Sequence, residues 1–373
     1  RRGPLAFLAM LGALVISLGW IVAASSSGAG QTSGATPASE STLNGVSCVS
    51  ANTCTAVGYL GDDTLIEFWD GDSWSVVPSP DRGTTDTLEA VSCVSVNTCE
   101  AVGSYTNPSG ERTLAESWNG TSWSVVPSPD RGASSALEAV SCVSVNTCEA
   151  VGSYLNASGS QALAESWNGS DWSVAASVSL LTPAGAVNGL TCVSDNLCVA
   201  VGNHGSGTLV EFWNGTGWRF VVSPNPGNYS GLSGVSCSSD RSCVAVGNYS
   251  YGTGSAASTL SRTLIESWNG TAWAVVPGPG PSVAYLYGVS CVSARSCKAV
   301  GDYRISSGLR RALVESWNGT SWSVVPGPSP SAGYLYGVSC VSVRSCEAVG
   351  ESANVTGTVQ ALVESWNGRV WSI

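Results

Sequence analysis

Fourteen cysteines and a single histidine set the chemistry open to this chain of 373 residues. The cysteines form seven pairs of one spacing: Cys48 with Cys54, Cys93 with Cys99, Cys142 with Cys148, Cys192 with Cys198, Cys237 with Cys243, Cys291 with Cys297, and Cys340 with Cys346. If Cys93 ends one strand and Cys99 begins the next, an antiparallel hairpin places their Cα atoms about 4.5–5.5 Å apart, which suits a disulfide. Each bridge closes a short loop and contributes about 2 kcal/mol in the chain-entropy model. Structural zinc sites use a closer Cys spacing, often with histidine. No histidine flanks these pairs, so disulfides are expected and neither metal nor cofactor is. His204, alone in a Gly-rich segment, lacks the partners of a Ser-His-Asp triad and reads as a surface residue.

Carboxylates are the other chemical candidates. Glu67, Glu116, Glu165, Glu211, Glu266, Glu315 and Glu364 recur once per repeat, in phase with a Leu and a Trp. That alternation points each towards a packed face. Seven such groups could ring a cation. The structural alternative is that each accepts hydrogen bonds within its own repeat, since a semi-buried carboxylate must be satisfied. Glycoside hydrolysis needs only two carboxylates, roughly 5–9.5 Å apart, and 26 acidic residues leave room for such a pair. Arg304, Arg310 and Arg311 cluster in one repeat only.

The elements that must position these groups come from the repeats. A string close to S-C-V-S-x-x-x-C-x-A-V-G occurs seven times, and so does L-x-E-[SF]-W-[ND]-G-x-x-W. Successive first cysteines lie 45 to 54 residues apart. The second repeat divides into four strands: Leu88 to Ser95, Thr98 to Tyr105, Thr113 to Asn119 and Ser122 to Pro127. Val96-Asn97, Asn107 to Gly110 and Asn119-Gly120 separate them. Asn-Gly is a strong type I′ hairpin signal. Four short strands repeated seven times predict an all-β, seven-bladed propeller of four-stranded antiparallel blades. The expected blades start near residues 43, 88, 137, 187, 232, 286 and 335, and the domain covers 43–373. A linear β-solenoid is the rival architecture.

The order of apolar strand, A-V-G strand, E-S-W-N-G and W-S-V-V-P resembles the kelch repeat. The turn from Ser117 through Trp118-Asn119-Gly120 to Trp123 is similar to the Asp-box hairpin of sialidase-type propellers. The resemblance implies a propeller and carries no active site with it.

Ahead of the repeats, Arg1-Arg2 precede an uncharged stretch whose residues 5–24 equal a bilayer span in length. It reads either as a membrane anchor or as a signal peptide cleaved after Val22-Ala23-Ala24; both place the rest outside. Residues 25–42 read as a flexible Ser/Gly/Ala/Thr linker. Seven disulfides call for an oxidising compartment, so the chain is expected on the surface of, or secreted from, a bacterial cell. The net charge of −11 disfavours nucleic acid and anionic membrane surfaces, leaving the N-terminal helix as the only membrane contact. The propeller is expected to be monomeric.

Function then depends on faces. The disulfide turn and the Asn-Gly turn share one end of a four-stranded meander and hardly vary. The other end carries the variable loops and the blade-to-blade links, among them Asp81-Arg82, Asp130-Arg131, Tyr285-Leu286-Tyr287 and Tyr334-Leu335-Tyr336. Loops on a rigid scaffold are where binding concentrates. The candidate ligand residues are Tyr105, Tyr154, Tyr249, Tyr251, Tyr303, Arg304, Arg311 and His204, against the plainer reading of the tyrosines as rim packing. The tryptophans invite a lectin reading, but Trp118 and its equivalents are expected in the blade core, with Trp123 beside the Asn-Gly turn. The N-G-T triplets at Asn119, Asn214, Asn269 and Asn318 read as turns rather than glycosylation sites. The expected function is a binding or scaffold module for a cell-surface polysaccharide or protein. The alternatives are a sialidase- or lyase-type glycan-active enzyme and the ectodomain of a membrane sensor whose other half precedes Arg1.

Overall fold

A computed structural model describes residues 39–175, 185–251, 261–328, 332–354 and 357–373. The expected anchor or signal segment and most of the linker lie outside the described residues. Seven four-stranded antiparallel sheets follow one another, each built from consecutive strands in simple order. Blade 2 consists of Thr85–Ser95, Thr98–Asn107, Gly110–Trp118 and Trp123–Val125. The middle strands run longer than the sequence reading and the fourth shorter. Asn107 pairs directly with Gly110, so the hairpin continues to a two-residue tip. Blade 1 begins at Ser41, inside the expected linker.

The first strands are the innermost, and each lies beside the first strand of the next blade. The ring closes without strand exchange between blades 7 and 1. There Cys48 donates its N–H to Ser339 Oγ (3.0 Å) and Thr42 Oγ1 donates to Glu351 Oε2 (2.8 Å). The residue before the first cysteine is serine in every blade but the fourth, which has Thr191, and the latch recurs: Ser47, Ser92, Ser141, Ser236 and Ser290 accept from the next blade's cysteine N–H at 2.9–3.0 Å. Apolar burial is shared in the same way. Val57 and Ile66 of blade 1 pack with Leu88, Val91, Ala101, Leu114 and Trp123 of blade 2. No blade covers its own faces, and stability is collective.

All seven expected disulfides form: Cys48 bonds Cys54, Cys93 bonds Cys99, Cys142 bonds Cys148, Cys192 bonds Cys198, Cys237 bonds Cys243, Cys291 bonds Cys297, and Cys340 bonds Cys346. Their Cα–Cα separations are 3.9–4.0 Å, shorter than the about 4.5–5.5 Å expected of a regular ladder. The reason is a bulge. The two cysteines stand directly opposed in each hairpin, as in Cys93↔Cys99, but one extra residue lies between Cys93 and Ser95. The two ends of each bridge also differ in environment. Cys54, Cys99, Cys148, Cys198, Cys243, Cys297 and Cys346, on the second strands, are buried, whereas their inner-strand partners are only partly so. These cysteines are therefore pieces of the blade cores and not part of a ligand site.

The Asn-Gly turn is not type I′: Gly120 takes φ +92° while Asn119 stays at negative φ. Trp118 pairs with Trp123 across a four-residue loop. Asn119 Oδ1 caps that loop, accepting from Thr121 N, Thr121 Oγ1 and Ser122 N at 2.7–3.0 Å. An Asx cap thus replaces the second left-handed residue.

The tryptophan roles differ in part from expectation. The first of each pair donates its indole N–H to the carbonyl at the tip of the disulfide turn, as Trp118 does to Val96 at 3.1 Å. The same bond occurs in all seven blades at 3.1–3.2 Å. The second is buried in blades 2 to 7, as Trp123, Trp218 and Trp371 are, while the first is buried in blades 3 and 4 (Trp167, Trp213) and packs, partly buried, against the core in blades 2, 5, 6 and 7. The two most repeated motifs are therefore one unit, in which tryptophan and disulfide pin the same turn.

Candidate functional site

The site is built on a backbone irregularity. In every inner strand the register slips by one residue at the same place, between Leu88 and Ala90 in blade 2 and at the equivalent points elsewhere. The extra residue is Asn44, Glu89, Glu138, Asn188, Ser233, Tyr287 or Tyr336, in blade order. A bulge re-aims its side chain and is common beside functional sites. The next residue is always small: Gly45, Ala90, Ala139, Gly189, Gly234, Gly288 and Gly337. Here successive inner strands nearly touch; a Cβ on Gly288 would lie 2.7 Å from the Tyr336 carbonyl oxygen. The inner strands line a central channel of about 190 Å³, below the ~300–1,000 Å³ of usual ligand pockets.

The bulge residues divide the ring. Asn44 and Asn188 latch blades together, each donating its amide to the next blade's leucine carbonyl at 3.0 Å. Blades 2 and 3 present Glu89 and Glu138. Burial holds the Glu89 carboxyl up at about 7, with the charges of Glu138 and Glu111 adding to the effect. Glu138 is raised by burial and then by Glu111. Glu111 is itself tied down by Ser134 Oγ (2.7 Å) and Ser104 Oγ (3.1 Å).

Blades 6 and 7 present a wall of four tyrosines. Tyr285 and Tyr287 stack at 6.5 Å with 5° between planes, and Tyr334 and Tyr336 at 6.1 Å with 17°. Tyr287 and Tyr336 join the two stacks at 5.5 Å. All four rings remain partly exposed. Their polar edge is ordered: Tyr287 Oη donates to Asp302 Oδ1 (2.9 Å), and Arg310 Nη1 pairs with Asp302 Oδ2 at 2.6 Å. The Arg310 guanidinium lies over the Tyr285 ring at 4.8 Å. Tyr336 hydrogen-bonds Glu351, which also accepts from Thr42 of blade 1. Burial raises the Asp302 carboxyl, while the bonds from Arg310 and Tyr287 oppose that rise. Burial and then the adjacent carboxylates push the Tyr287 and Tyr336 phenols well above the ordinary tyrosine range. These hydroxyls therefore stay protonated as donors and are unsuited to act as bases. Beside the wall, Val283 holds φ at +89°, a costly conformation for a β-branched residue. It is fixed by Val283 N–H to the Ser261 carbonyl and by Arg304 N–H to the Val283 carbonyl, both at 2.9 Å.

Tyr285-Leu286-Tyr287 and Tyr334-Leu335-Tyr336 are thus parts of inner strands Ala284–Ser293 and Gly333–Ser342, not blade-to-blade links. Of the expected ligand residues, Tyr105, Tyr154, Tyr249 and Tyr303 lie on second strands and pack, partly buried, against the inter-blade cores. Arg82 covers Tyr105 at 5.0 Å and Arg131 covers Tyr154 at 5.9 Å. Tyr251 is exposed and meets Tyr249 edge-on at 5.6 Å. Arg304 is exposed, with Nε donating to the Gly308 carbonyl at 3.2 Å. Arg311 is half-buried opposite Tyr303. His204 ends the second strand of blade 4. These residues are spread over blades 2 to 6; only Tyr303, Arg304 and Arg311 share a blade with the tyrosine wall.

The seven strand-three glutamates do not ring a common site. Where the partner is described, it comes from the preceding blade rather than from the glutamate's own: Ser79 Oγ donates to Glu116 (2.7 Å), Ser128 Oγ to Glu165 (2.8 Å) and Ser223 Oγ to Glu266. The exit segment of one blade crosses the buried carboxylate of the next, and its serine bonds one oxygen, Oε2, while Oε1 of Glu116, Glu165 and Glu266 accepts no bond among the described residues. Gly278 and Gly327 replace that serine ahead of blades 6 and 7. Neither oxygen of Glu364 accepts a bond among the described residues. Burial holds Glu116, Glu165, Glu211, Glu266, Glu315 and Glu364 at about 7. Among the described residues no three His, Cys, Asp or Glu side chains converge to hold a metal.

No family model and no curated protein matches the chain. Solved structures do match in fold. YCF48 bound to D1 peptide aligns with TM-score 0.57 at 14% identity, over 88% of this chain and 92% of its own. A polysaccharide lyase of family PL25, an ulvan lyase bound to a GlcA(1-4)Rha3S segment, aligns with TM-score 0.51 at 10% identity, over 74% and 80%. An ancestral GH74 enzyme aligns with TM-score 0.56 at 14% identity, over 87% of this chain and 47% of its own. At such identities the likeness establishes the propeller and nothing about activity.

Proposed function

We propose that this propeller is an extracellular, non-catalytic binding module that seats a polysaccharide at the channel mouth of blades 6 and 7. The carrying observation is the tyrosine wall at Tyr285, Tyr287, Tyr334 and Tyr336, edged by Asp302, Arg310 and Glu351. Flat aromatic faces with a fixed polar rim suit sugar rings, which offer apolar C–H faces and peripheral hydroxyls. Tyr303, Arg304 and Arg311 extend the site outward. Tyr105, Tyr154, Tyr249, Tyr251 and His204 form, in this reading, an outer rim of weaker contacts. Seven disulfides favour an oxidising environment, with residues 5–24 serving as anchor or cleaved signal. Propellers of this fold hold both a peptide and a polysaccharide segment in their structures, so both ligand classes are compatible with the scaffold.

The test is a glycan and cell-wall polysaccharide array probed with the full chain, alongside Tyr285→Thr/Tyr334→Ala. Saturable binding to one sugar class, lost in the variant, is expected. Binding that survives the variant would overturn the placement; an empty array would overturn the ligand class. A second reading, a glycan-active enzyme using Glu89 and Glu138, draws on the raised Glu89 carboxyl beside a second carboxylate. Turnover of fluorogenic glycosides that disappears in Glu89→Gln would favour it.

A further inference from the structure

Charge is distributed unevenly around the ring. Residues 39–228, forming blades 1 to 4, hold nineteen carboxylates and four arginines; residues 229–373 hold seven carboxylates and nine cations. Five of those seven carboxylates, Glu266, Asp302, Glu315, Glu347 and Glu364, are buried. The outer surface of blades 5 to 7 is therefore basic on a chain whose net charge is −11.

The contrast is clearest on the disulfide-turn face. At one turn position blades 1 to 4 carry Asn52, Asn97, Asn146 and Asn196, while blades 5 to 7 carry Arg241, Arg295 and Arg344. All three arginines are exposed, as is Arg369 in the neighbouring turn of blade 7. None forms an ion pair among the described residues. Their stems cross the glycines of the Asn-Gly turns: a Cβ on Gly270, Gly319 or Gly368 would lie 2.9–3.1 Å from the Arg241, Arg295 or Arg344 side chain. The turns themselves are pinned by a disulfide, by a serine Oγ accepting each arginine N–H at 3.2–3.3 Å, and by an indole on the preceding carbonyl. Three guanidinium groups are thus displayed from equivalent rigid positions on consecutive blades.

We infer that this arginine arc is a second binding surface, for an anionic polysaccharide. Guanidinium groups take carboxylate or sulfate oxygens as bidentate pairs, and three exposed groups on consecutive blades suit a polymer bearing repeated anions. The same face carries Asp70, Asp72, Asp171 and Asp195 on blades 1 to 4, and Asp240 alone on blades 5 to 7. A planar anionic membrane would meet both halves at once. A duplex with one charge per ~1.7 Å is likewise opposed by the acidic half. A flexible, sparsely charged glycan can follow the basic arc alone.

The test uses the full chain and immobilised polygalacturonate and dextran sulfate as probes. Binding at ~0.1 M salt that disappears at ~1 M, where the Debye length falls to about 3 Å, is expected. Arg241→Asn/Arg295→Asn/Arg344→Asn restores the side chain that blades 1 to 4 carry, and should fold with an unchanged melting temperature while losing at least about tenfold in affinity. Tyr285→Thr/Tyr334→Ala should bind these probes as wild type does, which separates this surface from the channel mouth. Wild-type chain that is not retained, or a triple variant that binds equally well, overturns the inference. Tighter binding to duplex DNA or to phosphatidylserine vesicles than to either glycan overturns the choice of partner.

Discussion

Blades 2 and 6 share one backbone register, from the bulged inner strand to the disulfide hairpin, yet they carry different chemistry at the same inner-strand bulge. At the bulge blade 2 has Glu89 and blade 6 has Tyr287; two residues earlier Thr87 stands where Tyr285 does. Ala90 follows the bulge in blade 2, and Gly288 in blade 6. The latches, disulfides and buried leucines are common to both. The difference teaches that the repeat supplies a rigid frame while a few irregular positions, all on inner strands or turn tips, carry what distinguishes one blade from another.

Gly288 is one of the positions where neighbouring inner strands come closest. Gly288→Ala sets a Cβ 2.7 Å from the Tyr336 carbonyl oxygen, and overpacking of this kind costs roughly 1–3 kcal/mol. A clear fall in melting temperature is expected, although alanine is the native residue at the equivalent position in blades 2 and 3. The next effect reaches the whole ring through pH. Burial holds Glu89, Glu116, Glu165 and their relatives at about 7, against 4.5 for a free glutamate. The folded chain therefore binds more protons than the unfolded one between those values. Stability is fullest below about pH 4.5 and declines as pH rises through 7. Melting curves should show a higher midpoint at pH 5 than at pH 8, with a flatter profile in Glu116→Gln.

The serine–glutamate contact sharpens the contrast more finely. Ser79→Ala removes the bond to buried Glu116 and should cost about 1–2 kcal/mol in chemical denaturation. Gly327→Ser, which would restore the partner missing at Glu364, should stabilise by about 0.5–1 kcal/mol.

The frame was legible in the sequence because it repeats: Cys-x5-Cys, A-V-G and W-N-G mark three of the four strands and two of the turns. The site was not. A one-residue bulge leaves no mark in L-x-G-V, so Tyr285 and Tyr287 read as loop residues when they are inner-strand ones. The signal available was that x changes chemical class, to Asn, Glu, Ser or Tyr, while its neighbours stay Leu or Val, Gly or Ala, and Val or Leu. The buried glutamates were recognised as packed, but their partners lie some 37–43 residues upstream in another blade, beyond any reading within one repeat. The alternation of P-S-P with P-G-P in the exit segments was the trace they left. Tyr105, Tyr154, Tyr249 and Tyr303 lie on second strands, and pattern alone did not reveal how much of each ring is used in packing.

The most direct measurement is calorimetric titration of the array-selected polysaccharide into the full chain and into Tyr285→Thr/Tyr334→Ala, which gives blades 6 and 7 the residues found at this position in blades 2 and 3. Wild type is expected to bind and the variant to lose at least about a hundredfold in affinity, with melting temperatures within a few degrees of each other. Affinity within twofold of wild type would contradict binding at the tyrosine wall.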